Sequence, residues 1–94
     1  MAATYFVQYS YVPDMLNRRQ PYRAEHLARI TKAGEEGLLV LAGAFADPVD
    51  GAVLVFRAES RAEVEEWVEA DPYRVAGLIP DFAVREVTLV LPSA

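Results

Sequence analysis

The 94-residue sequence contains no cysteine and a single histidine. Without cysteine, the chain can form neither a disulfide scaffold nor a thiolate metal site, and this composition is natural for a cytoplasmic protein. No basic segment followed by an apolar run stands at the N-terminus, so no signal peptide is predicted. No apolar stretch is long enough to cross a bilayer. We therefore expect a cytoplasmic protein with no membrane partner.

The motifs of several enzyme classes are also missing. The chain has no G-x-G-x-x-G, P-loop or G-x-S-x-G motif, and one histidine without cysteine excludes most nucleophilic triads. The formal net charge of −5 argues against nucleic acid as a partner, because basic groups must meet the phosphates. No cofactor is predicted, so any catalysis would use a small acid/base apparatus.

Four glutamates crowd the second predicted helix. They are Glu63, Glu65, Glu66 and Glu69. Neither the histidine nor an aspartate joins them at the spacing of metal ligands, and four solvated carboxylates account for them. We therefore predict no metal site in this helix or elsewhere.

The residue pattern predicts one domain over residues 1–94, with six elements in the order strand, helix, strand, strand, helix, strand. A polar loop is predicted over 15–21, and one short helical turn over 73–79. This order is typical of the ferredoxin-like βαββαβ fold of the α+β class, a four-stranded antiparallel sheet with two helices on one face. The predicted strands cover 4–12, 38–45, 52–58 and 82–91, and the predicted helices cover 22–36 and 60–71.

The two central apolar runs indicate a second buried face. Residues 38–42 and 53–56 do not alternate between apolar and polar, as strands open to water on one side would. Hydrophobic residues make up 53% of the chain, and a large uncovered apolar face is rare on a monomer. We therefore predict a homodimer in which two sheets pack together as a dimeric α+β barrel. In the alternative, an edge strand, a loop or a terminus folds over that face.

His26 lies in the first predicted helix, about one turn after Arg23. The helical spacing predicts an inner stripe of Leu27, Ile30, Thr31 and Gly34, with His26 at its border. A border histidine can enter a crevice, where its side chain suits proton transfer near neutral pH. The alternative is a partly buried histidine that makes one ordinary hydrogen bond.

Asp71 continues the inner stripe of the second predicted helix, which is formed by Val64, Trp67 and Val68. Its inward position and its place at the C-terminal end of the helix both disfavour a negative charge. Places where local rules are broken tend to be functional or strained. In the alternative, Asp71 followed by Pro72 is a helix N-cap that starts the next turn.

Two further side chains could bind a substrate. Arg23 could hold an anionic group, although a solvated or capping arginine is the alternative, and Tyr73 could donate its phenol or simply pack. The tyrosines of the first strand share one face at a period of two, which favours packing in the core or in a dimer over a ligand site. These tyrosines are Tyr5, Tyr9 and Tyr11.

Several motifs together resemble the YciI-like (YCII-related) family over nearly the whole chain. The most specific are Arg23-x-x-His26-Leu27 and Asp71-Pro72-Tyr73; the others are Gly37-Leu38-Leu39, Ala42-Gly43, Ser60-x-x-Glu63-x-x-x-Trp67 and Gly77-Leu78. The resemblance implies a ferredoxin-like protomer, a dimeric α+β barrel and a cleft in which His26 and Asp71 approach each other. The chain departs from the family pattern at Gly43-Ala44, where Gly-Pro is frequent, and in the short hairpin over 47–51.

Two functions are compatible with these residues. In the first, a small-molecule enzyme of lyase or isomerase type uses His26 and Asp71 as an acid/base pair on a small anionic or phenolic compound, with Arg23 and Tyr73 as binding residues. In the second, a non-catalytic dimer binds a small ligand or serves as an accessory protein. Haem-assisted or cofactor-free oxygen chemistry is a third, weaker hypothesis, because only His26 stands out as an axial ligand.

Overall fold

The computed structural model describes residues 2–92, which form one four-stranded antiparallel sheet with helices packed on one face. Between α1 and α2, residues Gln20–Tyr22 form a 3₁₀ turn. The elements are β1 (Ala3–Ser10), α1 (Met15–Arg18), α2 (Arg23–Glu35), β2 (Leu39–Ala44), β3 (Gly51–Ala58), α3 (Arg61–Glu69), α4 (Pro72–Val75) and β4 (Asp81–Val87).

The order of the strands in the sheet is β2-β3-β1-β4. Strand β1 lies between β3 and β4 and is antiparallel to both, so that Tyr5 faces Phe56 and Val7 faces Val84. Strands β2 and β3 pair as a hairpin at the other side of the sheet. This is the split βαβ arrangement of the ferredoxin-like class. The predicted fold class and the predicted hairpin are therefore confirmed.

The core lies between the sheet and the helices. Side chains of a strand alternate between its two faces, and one set from β1, β3 and β4 is almost free of solvent contact. Helix α3 adds Val64 and Val68 to this core, and α2 adds Ala33. Both helices thus cover the same face of the sheet, as predicted. The buried side chains of the sheet on this face are Tyr5, Val7, Tyr9, Ala52, Leu54, Phe56, Ala58 and Val84.

Helix α3 begins at the predicted capping residue. The hydroxyl of Ser60 accepts a hydrogen bond from the backbone N–H of Glu63 at 3.2 Å. The Glu63 carboxylate in turn accepts from the backbone N–H of Glu59 at 3.0 Å, one residue before the usual partner in a capping box. These bonds satisfy N–H groups that a helix N-terminus leaves without intrahelical partners.

The predicted polar loop over 15–21 is wrong, because this segment is helical. The backbone N–H groups of Asn17 and Arg18 donate to the carbonyl of Asp14, and Met15 is buried with 2% exposure. Burial of this one apolar side chain fixes the turn against the core. The result places Arg19 at the C-cap of α1, directly before the 3₁₀ turn that leads into α2.

The other bounds differ from the prediction by a few residues at the ends of the elements. Strand β1 ends at Ser10 instead of residue 12, and β4 ends at Val87 instead of residue 91. Helix α4 covers Pro72–Val75, so it starts and ends earlier than the turn predicted over 73–79. Residues 1, 93 and 94 of the predicted domain lie outside the described residues. Over residues 2–92, none of the helices has the length and apolarity needed to span a bilayer.

The predicted inner stripe of α2 is wrong by about one residue. Leu27 is 43% exposed and Thr31 and Gly34 are also exposed, whereas His26 and Ala33 are buried and Ile30 is half-buried. His26 therefore lies in the middle of the inner face, not at its border. His26 hydrogen-bonds to Asp71, which is 45 positions away in the sequence, and a polar ring thus takes the inward place expected for a leucine.

The second face of the sheet points away from the helices. Phe6 and Leu41 both pair with Val55 across the sheet, so these three side chains share this outer face. Leu41 is 55% exposed, and Phe6 and Val55 are half-buried. Both faces of β2 and β3 are therefore apolar, as the sequence indicates, but one chain alone buries only one of them. The homodimer stays a prediction.

Candidate active site

His26 and Asp71 meet in the interior. His26 lies in the first turn of α2, and Asp71 is the N-cap of α4. The His26 Nδ1 atom is 2.8 Å from Asp71 Oδ1, a hydrogen-bonding distance. His26 is 7% exposed and Asp71 is completely buried. The structure thus brings together two residues that are 45 positions apart in the sequence.

Asp71 receives two further hydrogen bonds. Its Oδ1 atom also accepts from the backbone N–H of Tyr73 at 2.9 Å, which is the N-cap bond predicted as the alternative role. Its Oδ2 atom accepts from the hydroxyl of Tyr9 at 3.1 Å. The inward role and the capping role are therefore both filled by the same carboxylate. Three donors offset the cost of burying this charge, since burial is tolerated only with such partners.

These bonds determine the chemistry of the imidazole. An ionised carboxylate only accepts hydrogen bonds, so the Nδ1 atom of His26 must carry the donated proton. The Nε2 atom of the neutral ring then has a free lone pair, and no described residue hydrogen-bonds to it. An imidazole held in this tautomer can take up a proton at Nε2, and the imidazolium that results is stabilised by the carboxylate.

Tyr73 lies flat against His26. Their ring centroids are 3.7 Å apart and the ring planes differ by 11°. Burial raises the pKa of Tyr73, and the nearby positive charges of Arg23 and Arg19 oppose that shift. Arg23 thus lies close to the Tyr73 hydroxyl, yet this buried oxygen makes no hydrogen bond of good geometry with any described residue. The hydroxyl is free to donate to a bound molecule.

A cavity of about 190 Å³ opens beside this pair of rings. Arg23 and Tyr73, the two predicted binding residues, both line it together with His26. Asp71 does not line the cavity, but it hydrogen-bonds to three residues that do, namely His26, Tyr9 and Tyr73. The lining combines apolar side chains with aromatic and positively charged ones. The remaining lining residues are Tyr9, Tyr11, Arg19, Leu27, Ile30, Ala42, Gly43, Ala44, Ala52 and Leu54.

Two residues of the site were missed by the sequence interpretation. Tyr9 was assigned to packing, but its hydroxyl binds Asp71; burial and then the neighbouring Asp71 charge raise the pKa of Tyr9 above the ordinary range. The available signal was that a buried aspartate requires donors, and Tyr9 lies on the inward face of β1. Arg19 was placed in a loop, and no local pattern marks it as a cavity residue.

Metal ligands do not gather in the described part of the chain. Over residues 2–92, no three side chains of histidine, cysteine, aspartate or glutamate lie together as they would around an ion. The polar side chains that line the cavity carry nitrogen and hydroxyl groups, namely those of Tyr9, Tyr11, Arg19, Arg23, His26 and Tyr73. This set suits an organic molecule with oxygen substituents, because arginine and phenol groups both donate to oxygen.

Comparison with protein families gives a match over most of the chain. The family described as the YCII-related domain matches residues 3–88. Protein YciI of Escherichia coli O6:H1 is 32% identical over 81 residues, which cover 77% of this chain and 83% of that protein. The predicted family resemblance is therefore confirmed.

Solved structures share the fold. A 5-chloro-2-hydroxyhydroquinone dehydrochlorinase from Burkholderia phenoliruptrix, in complex with 2,5-dihydroxybenzoquinone, has a TM-score of 0.79 and is 25% identical, with coverage of 90% of this chain and 93% of that one. A NIPSNAP family protein from Agrobacterium tumefaciens has a TM-score of 0.63 at 17% identity, with coverage of 97% and 95%. The second likeness concerns the fold alone.

Proposed function

This chain belongs to the YCII-related domain family, and we propose that it is a cofactor-independent enzyme that acts on a small anionic or phenolic compound by acid/base catalysis. The reaction is an elimination or an isomerisation, so the enzyme is a lyase or an isomerase. His26 is the proton-transfer group, Asp71 is its buried partner, and Arg23 and Tyr73 bind the substrate.

One observation carries this proposal. The His26 Nδ1 atom lies 2.8 Å from a completely buried Asp71 carboxylate, while the same imidazole lines the cavity. A histidine that served only the core would need no ionised partner. A buried pair that opens on a cavity matches the arrangement of a general base and the group that orients it.

The proton path follows from the tautomer. Nε2 of His26 takes a proton from a hydroxyl or an acidic carbon of the substrate, and the ring becomes an imidazolium beside Asp71. In an elimination, the leaving group departs with its bonding electrons as an anion, and the electrons of the broken O–H or C–H bond form the new double bond. In an isomerisation, the same nitrogen returns the proton to another carbon. Neither route requires an oxidant or a reductant.

The residues that line the cavity support the proposed substrate class. Arg23 offers a positive charge, and the buried Tyr73 hydroxyl donates no hydrogen bond to a described residue. Both suit an oxygen anion or a phenol. The Burkholderia relative, by its description, removes chloride from a chlorinated hydroxyhydroquinone and binds a dihydroxybenzoquinone. A ring with oxygen substituents is therefore the first substrate to try here.

The test is chloride release from 5-chloro-2-hydroxyhydroquinone, measured for the wild type and His26→Gln. Glutamine keeps an N–H donor for Asp71 but cannot accept and return a proton. We expect turnover to fall by about 10²–10⁴-fold, the usual share of a general base. Equal turnover in the variant would remove His26 from the mechanism. Saturable binding of the compound without chloride release, in the wild type as well, would favour the non-catalytic ligand-binding alternative.

We also propose that the working unit is a homodimer joined through the outer face of the sheet. Phe6, Leu41 and Val55 support this because they form an apolar surface that one chain leaves partly exposed. Sedimentation equilibrium should give twice the chain mass for the wild type and the single mass for Val55→Lys. Glu66→Lys places the same side chain on the exposed surface of α3 and should stay dimeric.

A further inference from the structure

The cavity beside His26 is positively charged, although the chain as a whole carries a net charge of −5. Its lining includes Arg19 and Arg23 and, among the described residues, neither an aspartate nor a glutamate. The buried carboxylate of Asp71 is already bound by His26, Tyr73 and Tyr9. The charges of the two arginines are therefore not neutralised by the described residues around the cavity.

Arg19 differs from Arg23 because one of its buried nitrogen atoms has no hydrogen-bond partner. Its Nε atom is buried without a hydrogen-bond partner, and its side chain forms no ion pair within residues 2–92. A buried and unpaired donor on a charged group costs free energy that a bound anion would recover. Arg29 also has a buried nitrogen, Nη1, without a partner, but its guanidinium donates to the Trp67 carbonyl, lies over the Trp67 ring at 4.3 Å and does not line the cavity.

The backbone holds Arg19 in place. Its N–H donates to the carbonyl of Met15 at 2.9 Å, and Met15 is anchored in the core with 2% exposure. Arg19 therefore lines the cavity from a helical turn that is anchored in the core. Both arginines line this cavity, and the charges of both oppose the rise that burial causes in the pKa of Tyr11 and of Tyr73.

The size of the cavity limits its occupant. A volume of about 190 Å³ exceeds the roughly 150 Å³ of a cavity that accepts benzene, so one six-membered ring with a few substituents fits. Ile30, Leu54 and Ala52 offer the flat face of such a ring an apolar wall.

We propose that this cavity selects planar ring compounds that carry two oxyanions, one bound by Arg23 and the second by Arg19. Arg19 is thus a specificity-determining residue of the site. The inference rests on the proposed function for its site, but it concerns binding and does not require that the bound compound react.

The experiment compares two probes that differ by one acidic hydroxyl. Isothermal titration calorimetry gives the affinities of 2,5-dihydroxybenzoquinone and 2-hydroxy-1,4-benzoquinone for the wild type and Arg19→Gln. We expect the wild type to prefer the probe with two acidic hydroxyls. In Arg19→Gln that preference should fall by about 10- to 100-fold, as for the loss of one charge-assisted hydrogen bond, while the affinity for the other probe changes little.

Two matched variants complete the design. Arg18→Gln removes the same charge from the exposed neighbouring position and should keep the wild-type preference. Arg19→Lys keeps the charge and should keep part of the preference, which covers the case in which Arg19→Gln does not fold. The inference is overturned if Arg18→Gln loses the preference equally, if both Arg19 variants keep it in full, or if the wild type does not prefer the doubly acidic probe.

Failure of this inference differs from failure of the proposed function. A wild type that binds the doubly acidic probe through Arg19 but releases no chloride would keep the inference and remove the catalytic proposal. Chloride release that depends on His26 but not on Arg19, with no probe preference, would do the reverse.

Discussion

Helices α2 and α3 cover the same face of one sheet, but different forces hold them there. The side chains that α3 buries completely are Val64 and Val68, so its attachment is hydrophobic. Helix α2 buries His26 and Ala33, and its attachment to α4 includes the His26–Asp71 hydrogen bond. The candidate site thus belongs to the helix whose buried residues include a polar one, because the imidazole that lines the cavity also makes the contact with Asp71.

The largest expected effect on stability comes from Asp71→Ala. The change leaves the His26 Nδ1 proton, the Tyr73 N–H and the Tyr9 hydroxyl without their acceptor in the interior. We expect the free energy of unfolding to fall by about 3–5 kcal/mol, the usual cost of removing one member of a buried charged network. Urea denaturation at fixed protein concentration measures it.

Val68→Ala is the matched change in α3. It removes apolar atoms from an equally buried position and should cost about 2 kcal/mol, close to the transfer free energy of a valine side chain. A larger loss in Val68→Ala than in Asp71→Ala would mean that the polar network does not stabilise α2, and the contrast between the two helices would fail.

A smaller effect is expected for Tyr9→Phe, which removes one donor from Asp71. The loss of a hydrogen bond to a charged group should cost about 1.5–3 kcal/mol at neutral pH. Thermal unfolding followed by circular dichroism gives this value. Tyr22→Phe, a change at an exposed tyrosine, is the control and should cost much less.

Tyr9→Phe also tests how the free energy of unfolding depends on pH. Burial raises the pKa of Tyr9 in the folded protein, whereas a tyrosine of the unfolded chain loses its proton near about 10. Above that pH the unfolded chain binds fewer protons than the folded one, so the free energy of unfolding must fall as the pH rises. Tyr9→Phe should show a shallower fall between pH 9 and about 11. An unchanged slope would contradict the role given to Tyr9.

The smallest effect is expected for Ser60→Ala. Ser60 caps α3 alone, whereas the N-cap residue of α4 also binds His26. Loss of the Ser60 cap should cost about 1 kcal/mol and leave ligand binding at the His26 cavity unchanged. Parallel denaturation and titration experiments check both statements, and a weakened ligand affinity in this variant would argue that the two helices are coupled.

The sequence predicts the parts of the fold that depend on local patterns. The element order follows from apolar runs and turn residues, the start of α3 from Ser60, and the inward position of Asp71 from the stripe of α3. The family motifs then pair Asp71 with His26. Each of these inferences uses neighbours along the chain or a recognised set of motifs.

Local sequence patterns could not identify which face of α2 is buried. Hydropathy favours Leu27 as an inward residue, whereas the buried residue is His26, which contacts Asp71 far away in the sequence. The roles of Tyr9 and Arg19 likewise depend on long-range packing: Tyr9 reaches Asp71 across 62 positions, and Arg19 enters the cavity because Met15 is buried beside it.

The most direct test of the account is the tautomer of His26. Because the chain has one histidine, its imidazole signals need no assignment. Long-range proton–nitrogen correlation spectra distinguish a protonated ring nitrogen from one with a free lone pair. We predict that in the neutral ring the proton is on Nδ1, held by Asp71, and that Nε2 is free to accept the proton of a substrate. A neutral ring with its proton on Nε2 would contradict both the pairing with Asp71 and the use of His26 as a base.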